Sequence, residues 1–288
     1  MSETGIPPAF EPPASEPRDA EPPAPESRDA EPRAIEPRGD RIAKYLARAG
    51  VASRRDAERL IGEGKVKLNN TVITHPATFV VPGDLVTIGG KLVEEPDRTR
   101  LWRYHKPEGL VTTHRDPEGR PTVFDKLRHQ LPRVISIGRL DLTSEGLLLL
   151  TNDGALARVL ELPTTGWIRR YRVRVHGEVE PKALAALAHG VTIEGVRYAP
   201  IEAGLDAKKG ENAWLTVSLR EGRNREIRRV MAHLGLEVSR LIRIAYGPFQ
   251  LGTLARGGIE EVPTRVLREQ LPREPAPAAK SPRGPRRS

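Results

Sequence analysis

The sequence predicts an α+β protein, a small mixed module near the N-terminus followed by a larger, mainly antiparallel sheet with a few flanking helices. Three observations carry that expectation. Between Asp40 and Glu95, two short amphipathic helical patterns run directly into an alternating, turn-punctuated stretch. From Leu101 to about Gln270, strand-like runs recur with few helical patterns between them. Those runs do not alternate regularly with helices, which argues against a doubly wound nucleotide-binding fold.

The ends differ from the middle. The first forty positions contain a ten-residue repeat, EPPASEPRDA, EPPAPESRDA, EPRAIEPRGD, over residues 11–40. Proline every few residues removes amide donors and blocks helix, and almost nothing apolar is available to bury, so residues 1–39 are expected to be a disordered Pro- and acid-rich tail. Residues 271–288 are Pro/Ala-rich and basic, and are expected to be a second disordered tail offering weak phosphate contacts. The folded parts are then residues 40–95 and 101–270, joined by the charged, Pro-containing segment Glu94–Arg100.

In the first module, Asp40 is the expected cap of a helix carrying Ile42, Leu46 and Ala49 on one face and ending at Gly50. Ser53, with Asp56 three residues on, opens a second helix whose inner face is Ala57, Leu60 and Ile61, closed by Gly64. Val66 and Leu68 alternate with lysines, and Asn69-Asn70 supplies a tight turn before Val72. The exposed positions hold Arg41, Lys44, Arg48, Arg54, Arg55 and Arg59, with Lys65 and Lys67 beside them. RNA backbone contact explains such a one-sign face, and a plain solvated surface is the alternative.

In the second block, strands are expected at 101–105, 110–113, 134–138, 147–151, 168–176, 193–198, 213–219 and 238–246. Helices are expected at about 154–161, capped by Asp153, and at 181–189 and 224–234.

Composition narrows the function. No apolar run among the 288 residues approaches the ~20 that a membrane-spanning helix needs, and the acid-rich N-terminus does not read as a secretion signal. There is no cysteine, hence no disulfide, thiol nucleophile or cysteine-based zinc site, and the cytoplasm is the expected compartment. Net charge is +9, but residues 1–39 hold nine acids against four arginines, −5, leaving +14 on the remainder. A region this basic expects a polyanion, with solubilising surface charge as the alternative.

No metal or cofactor motif survives inspection. The seven histidines are scattered, and there is neither a P-loop nor a dinucleotide-binding glycine fingerprint. Chemistry must therefore come from side chains alone. The most informative stretch is GRLDLTSEGLLLLTNDG, Gly138–Gly154. It sets Asp141 in a loop between two strands, where it is either a reacting carboxylate or an ordinary turn acid. Glu145 and Asp153 are weaker candidates.

That stretch resembles the aspartate-bearing motif of the pseudouridine synthases, in the branch that begins with a ribosomal protein S-four-type RNA-binding domain. The module carries GVASRRDAERLIGEGKVKLNN, similar to such a domain, and three further segments match the family in order: HKPEGLVTTHRDPEGRPTVFDKL, RRYRVRVHG and EGRNREIRRVMAHLGLEVSRLIR. The resemblance spans residues 41–265. It implies isomerisation of a uridine in ribosomal RNA, in 23S rRNA rather than 16S rRNA, free or within a pre-ribosomal particle. The bond between sugar and ring nitrogen breaks, the uracil turns, and ring carbon 5 rejoins the same sugar, which calls for no cofactor.

By the same resemblance Asp141 is the catalytic carboxylate, acting as nucleophile or as base toward the ribose. Tyr171 stacks on the target uracil, although a core aromatic is the commoner fate of a strand tyrosine. Arg228 is the expected partner of Asp141. On helix 224–234, Ile227, Val230, Met231 and Leu234 form the buried face, Arg228 sits at its border, and Arg225 and Arg229 point away. The alternative for Arg228 is snorkelling to solvent. Family members often carry Gln where this chain has Glu226. The uridine must leave its stack to react, and Arg139 is expected to fill the vacated space or hold a phosphate. Lys44, Arg48, Arg54, Arg55, Arg59 and Lys65 complete the expected RNA contacts. With no heptad pattern, a monomer is expected.

Two other classes remain open on the residues alone. One is a non-catalytic ribosome-assembly factor using the same basic surfaces. The other is a glycoside-type hydrolase using Asp141 with Glu145, which needs the two carboxylates close together.

Overall fold

The computed structural model describes residues 39–270, so the two expected tails, apart from Gly39, lie outside the described residues. The first module holds β1 (Asp40–Arg41), α1 (Ile42–Arg48), α2 (Arg54–Gly62), β2 (Val66–Leu68), β3 (Thr71–Val72), β4 (Phe79–Val80), β5 (Val86–Ile88) and β6 (Lys91–Leu92). Strands β3, β2, β5 and β6 form a small sheet in that order. Ile42, Leu46, Ala57, Ile61, Val66 and Val86 bury its core. Ser53 caps α2 by accepting from the Asp56 amide, as its sequence predicts. Asn69 and Asn70 both adopt left-handed φ values, 49° and 67°, which asparagine tolerates better than most residues. Asp40 does not cap α1. It pairs with Val80 in a two-residue ladder and spends its carboxylate on Lys44 and Arg48, so Arg41 takes the cap position without a side-chain bond.

The larger part contains β7 (Leu101–Lys106), α3 (Val123–Leu127), β8 (Ile135–Ile137), β9 (Glu145–Thr151), α4 (Gly154–Glu161), β10 (Arg169–His176), α5 (Pro181–Ala186), β11 (Val191–Ile193), β12 (Val196–Tyr198), β13 (Ile201–Lys209), β14 (Asn212–Leu219), α6 (Glu226–His233), β15 (Glu237–Tyr246), β16 (Phe249–Gln250), β17 (Ile259–Glu261) and α7 (Thr264–Gln270). The main sheet runs β13-β14-β10-β15-β9-β7-β17, with β8 on β9 and β16 on β15. Every pairing in it is antiparallel except β15 with β9.

Strand periodicity builds the layers. Successive side chains of a strand face opposite sides of the sheet. In β9, Leu148 and Leu150 therefore join the core under α3, α5 and α6, while Leu147 and Leu149 join the one under α4 and α7. All four are fully buried, at about 1.5–3 kcal/mol each, making β9 the anchor of both cores.

Two expected strands change, and one strand, β13, was not expected. Residues 110–113 form only a single bridge, Val111 to Thr122, because Thr112 turns its hydroxyl onto Leu140 instead of entering a ladder. The expected strand 193–198 is a hairpin, since Glu194 and Gly195 take left-handed φ values and reverse the chain. Strand β13 has no clear apolar alternation because it is the sheet edge, with only Ile201 fully buried.

The parallel joint is short, Ile242 opposite Glu145 and Arg243 opposite Gly146. A side chain at Gly146 (φ 102°) would place its Cβ 2.3 Å from the Arg243 carbonyl oxygen and 2.7 Å from its amide nitrogen. Neither backbone atom has room to yield. Gly146→Ala is expected to cost roughly 3 kcal/mol or more. Urea denaturation measures this, and an unchanged midpoint would show that the two strands do not meet this closely.

Candidate active site

Asp141 lies in the turn between β8 and β9, and that turn is fixed by its carbonyls. Arg243 Nη1 donates to Arg139 O (3.3 Å), Thr112 Oγ1 to Leu140 O (2.9 Å) and Lys106 Nζ to Asp141 O (3.1 Å). The Gly109 amide donates to Leu142 O (2.8 Å), Arg228 Nη2 to Thr143 O (3.1 Å) and Lys106 Nζ again to Ser144 O (2.9 Å). Every backbone carbonyl from Arg139 to Ser144 is thus held by a donor from outside the turn. The Asp141 carboxylate itself makes no hydrogen bond or ion pair among the described residues, and it faces a cavity of about 440 Å³. That volume suits a nucleotide-sized ligand.

Tyr171 reaches the same cavity from the neighbouring half of the sheet. It is directly opposite Arg243 across the β10–β15 ladder, so both side chains share one face. Leu219, Ile227 and Leu241 give the cavity an apolar floor, and Arg139, Arg169, Arg223, Arg225 and Arg243 surround it with positive charge.

The structure gives Arg228 a different task from direct pairing with Asp141. Its guanidinium donates to Val238 O (2.9 Å) and to Thr143 O, tying α6 to β15 and to the Asp141 turn. The expected ion pair is not formed. Arg225 also departs from expectation, lining the cavity although a helical wheel points it away. Helix α6 begins only at Glu226, and Arg225 has φ 51°, so the wheel does not apply to it. A non-glycine residue held there costs roughly 1–3 kcal/mol.

Arg243 is the functional candidate that a reading of motifs passes over. It is 2% exposed, donates through Nε to Leu147 O (2.7 Å), and keeps Nη2 without a partner among the described residues. A signal was present: in the alternation Leu241, Arg243, Ala245 an arginine occupies an inward position.

Lys106 is fully buried, and burial pushes its ammonium down to about 8. Glu145 is no partner acid for Asp141. It is 2% exposed, forks onto Arg240 (2.5 and 3.0 Å), is held below the usual carboxylate range by that pairing, and does not line the cavity. This removes the glycoside-hydrolase arrangement.

In the first module, Lys44 and Arg48 bind Asp40, Arg59 and Lys65 bind Glu63, and Arg48 also approaches Asp153 of the sheet part at 3.9 Å. Arg54 and Arg55 are exposed and have no carboxylate partner among the described residues. A groove of about 340 Å³ between this module and the sheet is lined by Lys44, Arg48, Arg54 and Arg133.

Fold and cavity together point to an RNA-directed enzyme, with a basic helical module ahead of a sheet whose cavity holds the unpaired Asp141 carboxylate among arginines. Residues 100–233 match the family model for RNA pseudouridylate synthase, and residues 40–86 match that for the S4 domain. An uncharacterized RNA pseudouridine synthase of Rickettsia prowazekii is 47% identical over 232 residues, covering 80% of this chain and 97% of that protein. The ribosomal large subunit pseudouridine synthase B of Salmonella typhi is 42% identical over 230 residues, covering 77% and 79%. A crystal structure of a pseudouridylate synthase aligns with a TM-score of 0.56 at 25% identity, covering 80% of this chain and 99% of the other. The chain belongs to the RNA pseudouridine synthase family, and is an isomerase acting on RNA.

Glu226 is 4% exposed and lines the cavity. Its Oε2 accepts from the Arg223 amide (2.9 Å), as a capping residue does, while Oε1 has no hydrogen-bonding donor. Burial pushes its carboxyl above the usual range, reinforced by the nearby Glu221 charge. Between the unfolded and the raised folded titration the native state holds the extra proton, so this group's contribution to stability falls as pH rises. Glu226→Gln is expected to raise the melting temperature by a few degrees at pH 8. The gain should vanish near pH 4, and thermal melts at the two pH values check it. An equal gap at both would mean that ionisation of Glu226 plays no part.

Proposed function

We propose that this protein converts a uridine of ribosomal RNA, in 23S rather than 16S rRNA, to pseudouridine with Asp141 as the reacting carboxylate and no cofactor. The single observation that carries the reading is the shared cavity wall. Asp141, from the turn before β9, and Tyr171, from β10, face one nucleotide-sized space ringed by arginines. The match to ribosomal large subunit pseudouridine synthase B supports the large-subunit RNA as substrate.

In this reading the target uridine is flipped out of its stack into the cavity. Its uracil lies against the Tyr171 ring, and its phosphates meet the rim arginines, Arg139 and Arg225 among them. The Asp141 carboxylate, free of intramolecular partners, acts on the ribose. Arg243, with one donor left over, steadies either that carboxylate or a uracil carbonyl. Arg228 positions Asp141 through the Thr143 carbonyl. The exposed Arg54 and Arg55, with Lys44, Arg48, Arg59 and Lys65 around them, engage RNA backbone beyond the target. Such an enzyme works as a monomer in the cytoplasm, on free rRNA or on a pre-ribosomal particle.

Asp141→Asn keeps shape and removes the charge. It is expected to lower pseudouridine formation by on the order of a thousandfold or more. Carbodiimide mapping of 23S and 16S rRNA, from deletion cells carrying either allele, reads both the loss and the subunit. Modification at the wild-type level in Asp141→Asn cells would refute the catalytic role. Loss from 16S rRNA alone would overturn the substrate assignment, and no loss on gene deletion would favour an assembly factor.

A further inference from the structure

Strand β10 splits its side chains between two faces. Tyr171, Val173 and Val175 enter the core that supports the cavity, while Arg170, Arg172 and Arg174 stand exposed on the opposite face. Helices α4 and α7 cover that second face over β9, where Leu147 and Leu149 lie. Over β10 the three arginines are exposed, and their cross-strand neighbours in β14 are Ser218, which is buried, and Thr216 and Trp214, which are half-buried.

Charges on this face are unevenly matched. None of the three arginines has a carboxylate within 4.0 Å among the described residues. The nearby acids are otherwise placed. Glu145 takes Arg240, Asp206 accepts from the Thr216 hydroxyl (2.9 Å), Glu202 is opposite Ser218 on the edge strand, and Glu237 is opposite His176 beyond the last arginine. Arg174 is directly opposite Arg240, a like-charged pair that costs stability in a sheet. A row of unneutralised arginines thus brings the fold no visible return. Arg172 does have one contact, its guanidinium lying 4.6 Å from the Trp214 ring centroid.

The row also continues the catalytic rim. Arg169 lines the cavity, and the next residue, Arg170, begins the row on the other face, lining with Arg220 a hollow of about 280 Å³. From Arg170 to Arg174 the row extends about 13 Å, enough for more than one phosphate of an RNA strand. Half-buried Trp214 beside it offers an aromatic face of the kind on which unpaired bases stack.

We propose that Arg170, Arg172 and Arg174, with Trp214, form a second RNA-binding surface on the sheet face opposite the catalytic cavity, holding RNA backbone that leaves the cavity past Arg169. The inference rests on the rRNA reading above and extends it from the target nucleotide to a flanking strand. It makes the end of β10 a ridge over which the RNA bends. Because the contacts are to phosphate, they raise affinity without reading sequence.

The test uses the full chain and a 23S rRNA transcript. Phenylglyoxal modifies accessible arginines, and mass spectrometry reads each site with and without RNA. Arg170, Arg172 and Arg174 are expected to be reactive in the free protein and protected in the complex. The triple variant R170Q/R172Q/R174Q, checked for folding by its melting curve, is expected to bind the transcript roughly tenfold more weakly at moderate salt. Its slope of log affinity against log salt should be shallower by about 2 to 3. Equal reactivity of the three arginines with and without RNA would overturn the proposal, as would an unchanged salt slope in a folded variant. Shielding already present in the free protein would overturn it too, since an acidic segment of the chain or a second copy would then own the face. Pseudouridine formation by the wild type on the same transcript, measured in parallel, tests the isomerase reading separately.

Discussion

The fixed turn that carries Asp141 is the constraint on which the rest of the site depends. A six-residue surface turn ordinarily leaves its carbonyls to water, and its side chains wander accordingly. Here each carbonyl from Arg139 to Ser144 meets a donor supplied by Lys106, Gly109, Thr112, Arg228 or Arg243. Two consequences follow. The backbone is held from several directions at once, so the carboxylate is aimed without being bound. And the cations around the turn are occupied chiefly with carbonyls, leaving Asp141 unpaired and able to meet a substrate. For the proposed reacting carboxylate, pre-aiming of this kind lowers the cost of reaching productive geometry.

The donors can converge only because the sheet is joined in an unusual place. Residues of β9 and β15 are far apart in sequence, and two registered pairs connect their strands. On one side of the joint stand the turn and Lys106, on the other Tyr171 and Arg243. Gly146 lets the two backbones approach to the distance that Arg243 needs to reach both Leu147 O and Arg139 O. An arginine buried at 2% exposure is costly unless its donors are used, and two of its three nitrogens are used in fastening this joint. The same residue therefore closes the sheet and lines the cavity.

Much of this was legible in the sequence, and the parts that were not have physical reasons. Local rules found what is local: the Ser53 cap, the Asn69-Asn70 turn, the Asp153 cap of α4, and the continuous apolar run of β9. They failed where a distant partner decides. Asp40 has the chemistry of a cap, but a ladder with Val80 and two basic neighbours claim it first. Strand β13 lacks a pattern because an edge strand has little to bury. Arg225 escaped the helical wheel because the wheel assumed a helix from residue 224, whereas α6 starts only at Glu226. The Asp141 position was marked by its motif, but the carbonyl cage around it draws on residues between 106 and 243 and has no linear signature.

The distribution of charge around the cavity completes the physical picture. An RNA target brings phosphates, and five arginines line the space that receives it. Three acids line the cavity. Glu161 accepts from the Gly138 amide, and the surroundings of the other two, Asp141 and Glu226, treat them differently. Glu226 is buried with one oxygen lacking a donor, which favours its neutral form. Its other oxygen caps the turn before α6 through the Arg223 amide. Asp141 lies nearer solvent at the cavity, within a field of guanidinium groups. One acid is thereby confined to structure while the other, the proposed reacting carboxylate, has no partner among the described residues, although both belong to the same small space. The environment of each carboxyl, more than its residue type, separates the two roles.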